Sequence, residues 1–452
     1  MPRCKKTQTV EENLKTPIDS VVSSADSVTL SDLLPGEGFP WKRVLPTVHR
    51  ITQAFGYQRV ETSPVEELDV FSDFQTILKS KPERFLRVEG AGGKKFALRP
   101  QNFLSVLRAY KAHQVYEKEK TTKWYYIEPT FAPNNPSLLD GYEFGVVNFG
   151  EPTAISDAQM IAMIKVLLEE FGISNVVFEI NSKGCDGCAA YYHEVLSDFL
   201  QQNKYELCPT CQKLLSKDSA PPSGFLDNGL YEVFRCKNGE CRELLGNAPQ
   251  IIDYLDTYCN RHLTSLLESL DELEIPYQLN PVLFGNGQLS HTLFQIKVLP
   301  SSGGAEEEIL LGVGGRHNRF VSKLIGQDIP AVLFSIPLQK IFMVLDSHGK
   351  EQKNGQEADV FLISVGESAA KKSLKLFLDL WKRNIKVAER FGENGIKNQF
   401  KLAEKKGCRI ALIVGQKEAL ESSVILRDVR SGIQEVFSYE RAIEEVKKRL
   451  QE

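Results

Sequence analysis

Long apolar runs are missing from this chain. The longest, such as Ile410–Val414, fall far short of the roughly 20 residues a bilayer-spanning helix needs, so no membrane segment is expected. The N-terminus has no apolar stretch of the secretory kind, and Glu11, Glu12, Asp19 and Asp26 speak against a mitochondrial transit peptide. A cytoplasmic protein is therefore expected. Charge of one sign is missing too: 55 Lys and Arg face 59 Asp and Glu, for a net charge of −4. That balance predicts no general affinity for nucleic acid and no DNA partner.

What is present is an ordinary globular mixture, 452 residues with 42% hydrophobic and 25% charged side chains. It is enough for about three domains at roughly 150 residues each. Residues 1–37 are rich in Ser, Thr, Asp and Glu and read as a flexible extension. From Trp41 helical and strand patterns alternate as far as the polar run Glu351–Gln356, the best domain boundary in the chain. This places a core at residues 38–347, a linker at 348–357 and a second domain at 358–452. Within the core, helices are expected over 156–171 and 248–273, and the pair Gly314-Gly315 reads as a tight turn. In the second domain strands alternate with helices, which predicts a mainly parallel α/β sheet. Residues 350–452 hold 21 Lys and Arg against 16 Asp and Glu, so this domain suits local contact with a polyanion better than the acidic body does.

Six of the nine cysteines fall between Cys185 and Cys241. Without a secretory signal, such clustering favours a metal over disulfides. Cys185-Asp-Gly-Cys188 and Cys208-Pro-Thr-Cys211 form two CxxC pairs, the spacing of a closed, structural tetrathiolate zinc site. Cys236 and Cys241 are alternative ligands that either replace one of these pairs or form another site, His193 is a weaker one, and Cys259 and Cys408 read as buried or incidental thiols.

The run Phe96-Ala-Leu-Arg-Pro100, followed in order by Trp124-Tyr-Tyr-Ile127, Phe144-Gly-Val146, Asp157-Ala158, Gly314-Gly-Arg316 and Pro330-Ala-Val332, resembles histidyl-tRNA synthetase. The resemblance covers about residues 40–452. It implies a class II α+β core, an antiparallel sheet flanked by helices, followed by an anticodon-binding-like α/β domain. The segments Asn181–Cys188 and Cys236–Leu255 resemble the cysteine-bearing insertion of many bacterial members, which places a Cys-rich insertion at about 181–247. Gly56-Tyr57, Ser63-Pro64 and Glu66 match the region that builds the dimer interface in relatives, so a homodimer is implied.

The motifs that carry the family's chemistry are altered. Amino-acid activation gathers negative charge on the ATP α-phosphate and needs cations there. The family's Phe-Arg-x-Glu-Arg-Pro stands here as Phe131-Ala132-Pro133-Asn134-Asn135-Pro136. Its Leu-Arg-Pro-Glu-x-Thr becomes Leu98-Arg99-Pro100-Gln101-Asn102-Phe103, without the carboxylate that pairs with the histidine ammonium. The His-Gln before Phe-Gly becomes Tyr142-Glu143. The histidine-specific Arg-Gly-Leu-Asp-Tyr-Tyr-Thr becomes Phe284-Gly-Asn-Gly-Gln-Leu-Ser290, and Gly-Leu-Glu-Arg becomes Pro337-Leu-Gln-Lys340. Losing one such electrostatic contact commonly costs about 2.7–4 kcal/mol, so several losses at one site predict a paralogue without activation and with a tRNA-binding or regulatory role. The alternatives are a divergent but active histidine–tRNA ligase, with ATP and magnesium as cofactors only in that case, and a protein like the regulatory subunit of ATP phosphoribosyltransferase.

The expected pocket remnants are Arg99, Gln101, Glu143, Gln288, Ser290, Gly314, Gly315, Arg316 and Lys340. Candidate tRNA contacts are Lys371, Lys372, Lys375, Lys397 and Lys401, with Lys382 and Arg383 beside them.

Overall fold

The computed structural model describes residues 39–70, 86–131, 141–216, 229–284, 289–299, 308–347, 358–391 and 395–451. The extension expected over 1–37, the linker over 348–357, Ala132 and Gln288 lie outside them. Two compact units divide between His348 and Gly349.

The first unit opens with the helix Phe39–Ala54, which turns Val44, Val48 and Ile51 inward at helical spacing. The strands that follow are β1 (Gln58–Arg59), β2 (Val65–Glu67), β3 (Arg87–Glu89), β4 (Lys95–Leu98), β5 (Thr122–Thr130), β6 (Gly141–Phe149), β7 (Val176–Ser182), β8 (Tyr277–Leu279), β9 (Ser290–Val298), β10 (Ile309–Arg316) and β11 (Ala331–Pro337). Eight of them form one sheet in the order β1-β5-β6-β11-β10-β9-β7-β8, and β2-β4-β3 form a small one. The six central strands are antiparallel, with a parallel partner at each edge.

Both faces of the large sheet are covered. Alternate residues point opposite ways along a strand, so Phe334 packs with the helices Ala154–Glu170 and Thr257–Glu272 through Met160, Ile164, Leu266 and Leu270. Leu333, one residue away, packs instead with Leu107, Tyr110 and Phe320 of the helices Asn102–Ala112 and Asn318–Ile325.

Two sequence expectations are corrected here. Gly314 and Gly315 lie inside β10, not in a turn. A Cβ on Gly314 would stand 2.4 Å from the Phe294 ring and 2.8 Å from the Leu333 carbonyl, so the glycine lets neighbouring strands and rings close up. The single helix expected over 248–273 is broken into a short 3-10 turn, Ile251–Tyr254, and the helix Thr257–Glu272. Asp256 restarts the helix as its N-cap, accepting the Cys259 N–H at 2.7 Å.

The insertion builds its own small core. Tyr192, Leu196 and Leu200 of the helix Asp186–Gln202 meet Leu207, Leu215, Leu230, Val233 and Leu245. A core of this size offers limited stability alone, the usual setting for a metal staple.

In the second unit β12 (Val360–Ser364), β13 (Val387–Glu389), β14 (Ile410–Val414), β15 (Ser423–Asp428) and β16 (Gln434–Ser438) form a sheet ordered β13-β12-β14-β15-β16. The first three are parallel and the last two antiparallel, so the mainly parallel sheet expected from sequence is mixed. The physical reason is the short stretch between Val414 and Ser423, with only the helix Gln416–Glu421 in it. A parallel crossover needs a dozen residues or more.

Candidate functional site

A cleft of about 340 Å³ opens on the large sheet, between the ends of β5, β6, β10 and β11 and the turn before the helix Asn102–Ala112. Its polar lining is Gln101, Thr130, Glu143, His317 and Ser335. Its apolar lining includes Phe103, Tyr142, Leu289, Val313 and Leu333. Among the described lining residues there is no lysine and no arginine.

Glu143 is the cleft's carboxyl. It accepts the Tyr126 hydroxyl at 3.1 Å and the Asn102 amide at 3.3 Å. Burial raises its pKa above the ordinary glutamate range, with hydrogen bonds from Ser335, Tyr126 and Asn102 opposing the rise. His317 is buried against the Phe103 ring, and its Nδ1 has no hydrogen-bond partner. Burial, with a smaller contribution from the Lys183 charge, drops its pKa to about 3, so the imidazole is neutral. Gln101 is exposed, Gly314 lines the wall, and the Ser290 hydroxyl is buried without a partner.

The cations expected in the cleft are spent elsewhere. Arg99 is buried, paired with Glu128 at 2.5 Å, and donates to the carbonyls of Pro129 and Thr62 at 3.0 Å each. It ties the residues after β1 to the end of β5. Arg316 is wholly buried: its Nε donates to Asp157 at 2.9 Å, and other guanidinium nitrogens reach the Glu151 and Thr153 carbonyls at 2.9 and 2.6 Å. His262 and Thr292 meet the same Asp157 carboxylate at 3.0 and 2.6 Å. Gly315 lies beside this network, where a Cβ would stand 2.6 Å from the Thr292 carbonyl. Lys340 donates to the Leu310 carbonyl at 2.5 Å, half-buried, and burial lowers its pKa.

The cysteines form two groups: the two CxxC pairs are not brought together as first expected, and Cys236 and Cys241 stand beside the second pair in place of the first, the alternative the sequence left open. Cys208, Cys211, Cys236 and Cys241 bring their sulfurs within 4.8 Å of one another, and Cys185, Cys188, Asp256 and Cys259 do likewise with their ligand atoms. The two CxxC pairs do not meet, because the helix between them is 17 residues long. At 1.5 Å per residue that is about 25 Å. In the first group Sγ of Cys208 and Cys236 lie 3.8 Å apart, and the Cys208 N–H points at the Cys241 sulfur at 3.1 Å. Asn238 caps the helix Gly239–Gly246 by accepting the Cys241 N–H, which orients this knuckle. His193 stands apart, in ring contact with Tyr231.

Two family models match the sequence: "Histidyl-tRNA synthetase" over residues 29–205 and "Anticodon binding domain" over residues 359–449. A histidine–tRNA ligase of Halothermothrix orenii is 30% identical over 426 residues, covering 92% of this chain and 97% of the relative. The chain belongs to the histidyl-tRNA synthetase family. A histidine–tRNA ligase of Dehalococcoides mccartyi is 30% identical over 93% of this chain and 98% of its own length. Among solved structures, the apo histidyl-tRNA synthetase of S. aureus superposes with a TM-score of 0.74 at 22% identity, covering 94% of this chain and all of that one. An ATP phosphoribosyltransferase regulatory subunit/histidyl-tRNA synthetase from Bacillus halodurans gives 0.59 at 16% identity, over 85% of this chain and 97% of that one. The family's class II core and its C-terminal domain are thus both present.

Within that frame the candidate tRNA lysines do not form one surface. Val360 and Leu362 share a core with the helix Glu367–Trp381, while Phe361 and Ile363 pack with Ala403 of the helix Ile396–Lys405. The two helices therefore cover opposite faces of β12. Lys371, Lys372 and Lys375 are exposed on the first and Lys397 and Lys401 on the second, with Lys371 paired to Glu367 at 2.7 Å. Sequence reasoning missed Asp256 and Cys259 as neighbours of the first CxxC pair. The signal was available: Asp256-Thr-Tyr-Cys259 has the same two-residue spacing.

Proposed function

We propose that this member of the family does not activate histidine and serves as a tRNA-binding or regulatory paralogue. The observation that carries the reading is the cleft without a cation among its described lining residues, where charge on a nucleotide phosphate would go unanswered. Glu143 with a raised pKa, neutral His317 and Ser335 instead suit an uncharged or cationic small ligand. ATP and magnesium have no role in this reading.

The anticodon-binding domain supports tRNA as the partner, and the family supports a homodimer. Cys208, Cys211, Cys236 and Cys241 would hold one structural zinc. Sulfurs on a tetrahedral ion with bonds of about 2.3 Å sit about 3.8 Å apart, the spacing of Cys208 and Cys236.

The second reading is an active ligase, and one observation favours it: the cleft persists at a volume within the range of small-molecule sites. Histidine-dependent ATP–pyrophosphate exchange separates the two, with an active synthetase as control. The expected result is no exchange above a histidine-free blank from folded protein; exchange above the blank would overturn the proposal. A binding shift with total tRNA tests the partner.

A further inference from the structure

The second cysteine group is built like a metal site in its own right. Cys185 is the N-cap of the helix Asp186–Gln202 and Cys188 lies one turn in. Asp256 is the N-cap of the helix Thr257–Glu272 and Cys259 again lies one turn in. Two helix N-termini thus meet head to head, each contributing a pair of ligands three residues apart. Positive helix ends and free N–H groups favour thiolate and carboxylate there.

The distances fit one ion. The Cys185 and Cys188 sulfurs are 3.6 Å apart, far from a disulfide's roughly 2.05 Å and close to the spacing on tetrahedral zinc. The Cys185 thiol reaches the Asp256 carboxylate at 3.2 Å, and the Asp256 N–H points at the Cys188 sulfur at 3.1 Å. Gly184, with φ +63°, makes the approach possible: a Cβ there would stand 2.5 Å from that of Cys188. His291 lies behind the group, its Nδ1 3.6 Å from the Cys259 sulfur.

We propose that Cys185, Cys188, Cys259 and Asp256 bind a second zinc ion, separate from the tetrathiolate site of the insertion. One pair stands at the start of the insertion and the other just beyond its end, so the ion closes the base of the insertion and pins it to the core. The donor set of three thiolates and one carboxylate makes this the more labile of the two sites. Its carboxylate is exposed and Cys185 only half-buried.

Metal analysis of the full chain, purified under reducing conditions without chelator, tests this. Two zinc equivalents per chain are expected, one in Cys259→Ser, one in Cys236→Ser and none in the double variant. One equivalent that Cys236→Ser abolishes and Cys259→Ser leaves unchanged would overturn the second site. A reading that does not depend on the folding of Cys259→Ser is taken on the unaltered protein: alkylation mapped by mass spectrometry. Cys185 should be protected as purified and labelled after a chelator pulse that leaves the helical content intact. Equal labelling of Cys185 before and after the pulse would equally overturn the proposal.

Discussion

Asp157 is surrounded by Arg316, His262 and Thr292, and its removal should be felt as the loss of a partner for a buried charge. Asp157→Asn leaves the Arg316 guanidinium uncompensated, so a loss of about 3–5 kcal/mol is expected, read as a lower denaturation midpoint. His317 makes a pH prediction. Its folded pKa of about 3 lies below the unfolded value near 6.5. The unfolded chain therefore takes up a proton first as pH falls. Stability present above pH 6.5 should fall by about 1.4 kcal/mol per pH unit below it until the folded pKa is reached. His317→Gln should flatten that limb of a stability–pH curve, and an unchanged slope would remove His317 as its source. Arg316 also shows why a residue's role was hidden in sequence. The motif Gly314-Gly-Arg316 located the strand, but the pairing of β10 with β9 slips at Gly315/Arg316, and such an irregularity re-aims a side chain in a way no alternation pattern reveals.

At the scale of elements, a helix with its start and stop marked in sequence was legible, as in Ala154–Glu170, expected over 156–171. What was hidden depended on contacts distant in sequence. The cysteine pairs looked like partners because spacing along the chain says nothing of the long helix between them. The glycines of β10 looked like a turn because their neighbours, Phe294 and Leu333, belong to other strands. Gly314→Ala should accordingly destabilise the fold by about 1–3 kcal/mol through overpacking, measured by denaturant unfolding. The arrangement around β12 makes a separate prediction. Charge reversal at Lys372 and Lys375 and charge reversal at Lys397 and Lys401 act on opposite faces, so only one pair should weaken tRNA binding and lower its salt dependence. Equal losses from both pairs would point to a diffuse electrostatic attraction.

For the whole molecule, the ordered succession of motifs between Gly56 and Lys340 was sufficient to read the family from sequence, while the second unit was legible from the polar break before it and the alternation of strands with helices after it. The chemistry was less legible: the motifs recorded which cations are missing, while the destinations of the remaining ones are set by tertiary packing. On the proposed reading, gaining histidine activation should need several changes together. Placing one arginine in the cleft, as in Gln101→Arg, is expected to leave pyrophosphate exchange at the blank, because the rest of the lining, Glu143 and His317 included, would still offer no positive charge to a phosphate.

The large sheet ends in strands of two residues at β1 and three at β8. Among the described residues, each of these edge strands gives another chain only a short template on which to add a strand. β1 pairs with two residues of β5, and β8 with three of β7. Self-association through β1 or β8 themselves would have little main chain to use, which favours contacts made by side chains, where a few substitutions can retune them.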